Sequence, residues 1–152
     1  MRNNFDRQLR LLAEKIHAFV EKQYSCLTRS LLPLLRQNGI ALLKGDDLTA
    51  EQERFADDYF ENVLFPVLTP LAVDRSRPFP MLSNKSLNLG VRLRKEGETA
   101  FAVVQVPAIL PRLVEAPAEE GRAFLLLESL IARHFGDLFE LHDIVAYTAF
   151  RV

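Results

Sequence analysis

The chain has 152 residues, 49% of them hydrophobic and 26% charged, with a formal net charge of −1. That length suits one ordinary domain, or one domain with a helical annex, and the balance of residue types is that of a globular protein. The near-neutral total excludes a generally basic nucleic-acid binder. No run approaches the ~18 apolar residues a bilayer span needs, and the start, Met1-Arg2-Asn3-Asn4-Phe5-Asp6, lacks the apolar core of a secretory signal. A cytoplasmic setting is therefore expected, and a lone Cys26 fits a reducing compartment.

In chain order, Phe5, Leu9, Leu12, Ile16, Phe19 and Val20 recur at three- and four-residue spacing, which predicts a long amphipathic helix with one apolar stripe. Leu27, Leu31, Leu34 and Leu35 continue it. Pro33 lacks an amide hydrogen and predicts a kink or restart near Ser30, and Asn38-Gly39 is a helix stop. Residues 40–43 read as a short strand or extended connector. A second helix starts at Thr49, where Gln52 stands at capping-box spacing. Phe55, Tyr59, Phe60, Val63 and Leu64 form its apolar face, and Pro66 marks its end.

Pro66, Pro70, Pro78 and Pro80 argue against a regular helix or a central strand over residues 66–84. The interleaved Phe65, Val67, Leu68, Leu71, Val73, Phe79, Met81 and Leu82 predict an ordered, largely buried loop. Leu87, Leu89, Val91 and Leu93 then alternate with Ser86, Asn88, Gly90, Arg92 and Arg94, the period of a half-buried strand. Glu96-Gly97-Glu98 is a turn, and residues 100–106 return as the second strand of an antiparallel hairpin. Residues 112–115 read as a short strand. The apolar run 123–127 leads into a helix through Phe135, ended by Gly136. A final strand over 144–152 alternates Ile144, Ala146, Thr148 and Phe150 with Val145, Tyr147, Ala149 and Arg151. Helices first and strands later, with one inserted helix, make an α+β fold with a mostly antiparallel sheet. Val152 ends the chain in strand-like sequence without a polar tail, which leads us to expect truncation there.

Local motifs for chemistry are sparse. Six glycines stand singly, forming neither a Walker-type loop nor GxGxxG. His17, His134 and His142 have no metal-ligand spacing, and with one Cys a zinc site is not expected. Nothing around Cys26 resembles a nucleophile with its base. Asp46/Asp47 and Asp57/Asp58 are adjacent pairs whose side chains diverge, and they read as caps and solvated faces. No catalytic, cofactor-binding or metal-binding residue is therefore assigned. Charge is uneven, however. Residues 75–95 hold Arg75, Arg77, Lys85, Arg92, Arg94 and Lys95 and no acid, whereas residues 46–61 hold seven acids against Arg54. Around the proline-rich loop, Arg75, Arg77 and Lys85 are the candidate polyanion contacts, because Arg presents a fork to phosphate oxygens and Lys a mobile point charge. The competing reading pairs them with the acidic helix or with a partner domain.

Residues 65–93, FPVLTPLAVDRSRPFPMLSNKSLNLGVRL, resemble the FPxLTPLAxDxxxPFPxxSNxSLNLxVxL signature of bacterial polyphosphate kinases of the first type. Tyr59-Phe60-Glu61-Asn62 ahead of Val63-Leu64-Phe65-Pro66 extends the likeness, as do Val106-Pro107, Leu110-Pro111-Arg112 and Leu138-Phe139. Leu113 departs from it, standing where an aromatic is common. The resemblance implies that residues 1–43 are the end of an N-terminal helical domain and residues 44–152 most of a head, or middle, domain truncated at its C-terminus. It implies that the full enzyme transfers the terminal phosphate of ATP to polyphosphate, with magnesium, through a phosphohistidine on later domains. ATP and magnesium thus belong to the full enzyme, none of the three histidines here inherits that role, and the chain alone is expected to be inactive. It would serve as an interdomain and dimerisation scaffold whose partners are the remaining domains and a second copy. The alternative is a free-standing polyphosphate- or protein-binding module.

Overall fold

The computed structural model describes residues 2–45, 47–73 and 79–152, which form two compact units, Met1–Ala41 and Leu42–Val152. The first unit is helical: α1 (Arg2–Cys26), a π-helical turn (Leu27–Leu31) and α2 (Leu32–Gln37). The expected break at Pro33 takes the form of that wider turn. Leu32 N–H reaches back five residues to the Leu27 carbonyl, and Pro33, which has no amide hydrogen for the preceding turn, follows at the start of α2, so the wider turn accommodates it in a helix that runs on without a cap. Thr28 Oγ1 donates to the Tyr24 carbonyl at 2.7 Å on the way in. Asn38 Nδ2 donates to the Leu34 carbonyl at 2.9 Å, and Gly39 takes φ 74°, closing the helix as its sequence predicts. The apolar stripe faces solvent along its length. Ile16 is 55% and Phe19 62% exposed, and Leu9, Leu12, Leu27, Leu31, Leu34 and Leu35 are exposed as well. The side chain of Phe5 lies outside the described set.

The second unit follows the short β1 (Ile40–Leu42), whose last residue belongs to it. The helix α3 (Ala50–Tyr59) starts with both halves of the capping box in place: Gln52 N–H donates to Thr49 Oγ1 at 3.3 Å and Thr49 N–H to Gln52 Oε1 at 3.1 Å. Gln52 Nε2 also donates to the Pro117 carbonyl at 2.9 Å, which fixes the helix start against a distant loop. The helix continues as a π-helical turn (Phe60–Leu64) and a 3-10 turn (Phe65–Val67). Next come β2 (Pro70–Val73), β3 (Leu87–Lys95), β4 (Glu98–Gln105), β5 (Leu113–Ala116) and β6 (Arg122–Leu126). Then α4 (Leu127–Arg133), α5 (Phe135–Leu138) and β7 (Asp143–Arg151) complete the chain. The larger sheet runs β2-β4-β3-β7, antiparallel at each pairing, and the smaller one β1-β6-β5. This is the expected α+β arrangement. Its core packs Leu89, Val91, Leu93, Ala102 and Val104 of the large sheet in one cluster with Ala56, Phe60 and Leu64 and with Leu127, Leu130 and Ile131 of α4.

Four local expectations are corrected. The proline-rich segment is not a largely buried loop: Met81 is fully exposed, and Phe65, Val67 and Phe79 are about half exposed. Part of it, Pro70–Val73, is a strand, because a proline at the first position of an edge strand removes no interior ladder bond. The run 123–127 is first a strand, β6, whose Leu113↔Leu126 to Ala116↔Ala123 register pairs it with β5, and the helix begins only at Leu127. The inserted helix breaks at His134 (φ −103°, ψ 22°), not at Gly136, which lies inside the short α5. Finally, Arg92 pairs with Ala146 while Leu93 pairs with Ile144, so Val145 is an extra residue in β7. Such a bulge reverses the side-chain alternation. Ile144 therefore joins the core rather than sharing a face with Ala146, Thr148 and Phe150. On the same core side, Tyr147 lies opposite Val91 and meets Phe135 edge-on at 5.2 Å between ring centres.

Candidate functional site

The turn that opens β3 is held from several directions. Ser86 N–H donates to the Ser83 carbonyl at 3.0 Å, and Lys85 takes φ 63°, a left-handed conformation uncommon for a residue with a side chain. The last residues of the chain clamp it there: Lys85 N–H donates to the main-chain oxygen of Val152 at 2.7 Å, and Arg151 Nη1 donates to the Lys85 carbonyl at 3.0 Å. The fully buried Asn88 donates from Nδ2 to the Ser86 carbonyl at 3.1 Å and to Ser86 Oγ at 2.8 Å. Its Oδ1 has no partner among the described residues. Because Ser86 Oγ accepts that bond, its own hydroxyl proton is left to donate elsewhere.

Beside this turn lies an open cleft of about 200 Å³. Leu87, Val106, Pro107, Leu110 and Leu127 give it apolar walls, Ser86 adds a hydroxyl, and Lys85, Arg112 and Arg151 bring three cations to its lining. Arg112 is the anchored one. Its Nε donates to Glu128 Oε1 at 3.1 Å and Oε2 at 3.3 Å, its Nη2 bonds Oε1 as well, and these hydrogen bonds hold the guanidinium above its ordinary pKa. Among the described residues, neither the Lys85 ammonium nor the Arg151 guanidinium has a side-chain carboxylate within 4.0 Å.

The Arg112–Glu128 pair carries a stability prediction. The Glu128 side chain is only 10% exposed, so Arg112→Leu leaves a carboxylate in a poorly solvated place. The Arg112 side chain is 54% exposed, so water enters from that side and the loss is held to about 1 kcal/mol. Urea denaturation measures it, and Arg112→Leu combined with Glu128→Gln should recover most of the loss. An equal loss in the double variant would show that the ion pair is not its source.

Of the three candidate contacts named from sequence, Lys85 stands at this cleft, while Arg75 and Arg77 lie outside the described residues, as do Asp46 and Pro78. Two acids of α3 meet a different cation: Arg133 of α4 lies 3.2 Å from Glu53 and 3.5 Å from Asp57. Arg112 and Arg151 were not singled out from sequence. They are 27 and 66 positions from Lys85, and only the β3–β7 register, which sets Leu87 opposite Arg151, brings the far one near.

The histidines do not converge. His17 is exposed on α1, and His142 is half-buried beside β7. His134 is buried, with its ring stacked on Phe60 at 4.1 Å between centres and 9° between planes. Its Nδ1 lies 2.9 Å from Asp137 Oδ2, and its Nε2 lies 3.4 Å from Asp57 Oδ1 without hydrogen-bond alignment. That is a packing arrangement with one polar tie. Cys26 is exposed. Among the described residues no cluster of three or more His, Cys, Asp or Glu has metal-holding geometry, and no helix is long and apolar enough to cross a membrane.

Residues 51–152 match the family described as the polyphosphate kinase middle domain. The chain is 42% identical over 148 residues to a polyphosphate kinase of Lactiplantibacillus plantarum, covering 95% of this chain and 20% of that one. It is 37% identical over 150 residues to a polyphosphate kinase of Neisseria meningitidis, covering 93% and 22%. The crystal structure of polyphosphate kinase from Porphyromonas gingivalis superposes with a TM-score of 0.87 over 94% of this chain and 25% of that chain. At 23% identity, that last likeness is one of fold. The chain thus spans about a fifth of the length of these curated relatives.

Proposed function

The chain belongs to the polyphosphate kinase family, with most of its length matching the middle domain, and from that premise we propose that it is a scaffold segment of a cytoplasmic kinase. In the longer enzyme, the terminal phosphate of ATP would pass to polyphosphate with magnesium on other domains. This segment would hold domains and subunits together. The observation that carries the reading is the uncovered stripe of the first unit, where Ile16, Phe19, Leu27, Leu31 and Leu34 all face solvent on one continuous helical element. A contiguous apolar face of this kind seeks a partner surface. Removing a side chain such as Phe19 from water is favourable at about 25 cal/mol per Å².

For the 152-residue chain on its own, a second copy is the occupant we name. Size-exclusion chromatography with light scattering should show a dimer or larger species that Ile16→Glu/Phe19→Glu converts to monomer. The circular-dichroism melt of the second unit should be unchanged by that double substitution. A wild-type chain that stays monomeric at high micromolar concentration would remove self-association from the reading.

A further inference from the structure

We propose that the cleft beside the Ser83–Ser86 turn binds a phosphate oxyanion, with Lys85 and Arg151 as its cationic contacts and Ser86 as a neutral donor. The scaffold reading does not assign this site, and the proposal does not depend on that reading.

The chemistry converges on an anion for four reasons. Two of the three cations lining the cleft, Lys85 and Arg151, have no side-chain carboxylate within 4.0 Å of their charged groups among the described residues. The third, Arg112, is tied to Glu128, which holds it in place as part of the wall. The walls around them are Leu87, Val106, Pro107 and Leu127, and low-dielectric walls around charges of one sign concentrate the potential in the opening. Ser86 Oγ accepts from the buried Asn88 amide, which orients the hydroxyl and leaves its proton for a ligand oxygen.

The backbone shows the same investment. A left-handed Lys85 costs energy, and here three hydrogen bonds from the last residues of the chain and the turn itself hold it: Lys85 N–H to Val152, Arg151 Nη1 to the Lys85 carbonyl, and Ser86 N–H to Ser83. The Arg151 bond holds that guanidinium against the Lys85 backbone, and both residues line the same cleft. Tetrahedral phosphate oxygens suit this set, since Arg offers more than one N–H and Lys a mobile charge. One phosphate and one link of a phosphate chain present the same oxygens, and the test separates them.

Isothermal titration calorimetry of the full 152-residue chain, in a phosphate-free buffer at low salt, would use inorganic phosphate in one arm and tripolyphosphate in the other. The expected result is one tripolyphosphate site that weakens as sodium chloride rises. Orthophosphate alone binding equally well would assign the site to the single anion. Lys85→Gln alters an exposed side chain and should weaken binding about tenfold, the loss expected for one charged hydrogen bond. Arg151→Gln should do at least as much, although it also removes the clamp on the Lys85 carbonyl, so Lys85→Gln is the deciding variant. Lys22→Gln on α1 is the charge-matched control and should change nothing. No heat with either anion, or equal weakening by Lys22→Gln and Lys85→Gln, would overturn the proposal. Neither result bears on self-association, which is read by light scattering and can succeed or fail on its own.

Discussion

Leu89→Ala is expected to lower the stability of the second unit by about 3–4 kcal/mol, the middle of the range for leucine deletions in packed cores. Leu89 is 1% exposed and stands on β3, which has hydrogen-bonded neighbours on both sides. It lies opposite Val104 of β4 and Ala149 of β7. Two paired strands cannot move inward without breaking their ladders, and Ala149 is too small to fill the space, so the cavity stays open. The cost is then the lost transfer energy together with the cavity term. Guanidinium denaturation followed by tyrosine fluorescence would report it as a lowered midpoint with an unchanged slope. A loss below about 1 kcal/mol would mean that the site collapses, against the packing described. Leu87, half-buried at the start of the same strand, should cost clearly less.

The same strand shows what could be read from residues alone. Period-two alternation from Leu87 to Leu93 gave the correct core face, and Glu96-Gly97 gave the correct hairpin turn, because both signals are local. Thr49 and Gln52 were legible for the same reason, since a capping box is closed within one helical turn. The failures were non-local. The extra residue at Val145 reverses the faces of β7 but leaves no mark in composition, because Val145 is itself a good strand residue. Pro70 argues only against a central strand, and the edge strand that it starts leaves no local mark, because which strand lies at an edge is a property of the assembled sheet. The apolar stripe of α1 was legible as a stripe, but whether anything covers it depends on partners outside the pattern. At the candidate site Lys85 could be singled out from its charge and neighbourhood. Arg151 could not, since nothing short of the β3–β7 register places it beside a residue 66 positions earlier.

Gly90 is the second position where a small change should have a large effect, and there two opposing terms must be weighed. Glycine within a strand costs conformational entropy, so alanine would by itself stabilise by about 0.5–1 kcal/mol. Gly90 does not need a positive φ, so backbone strain does not decide the matter. Space does. A methyl built on Gly90 comes within 3.0 Å of Phe101 Cζ and 3.4 Å of Phe150 Cε1. These two rings close over the glycine from the strands on either side, because Phe101 sits on β4 and Phe150 on β7. Phe101 is further held by Phe79, stacked at 6.4 Å between ring centres. Overpacking of this kind costs about 1–3 kcal/mol. Since Phe101 is partly exposed and can tilt outward, a net loss of about 1–2 kcal/mol is expected for Gly90→Ala. The cause can be isolated by a double-mutant cycle. In a Phe101→Ala background the clash is gone, and the same Gly90→Ala change should become neutral or stabilising, because only the entropic gain remains. If it destabilised both backgrounds equally, the close approach of the Phe101 ring would not be the reason for glycine at this position.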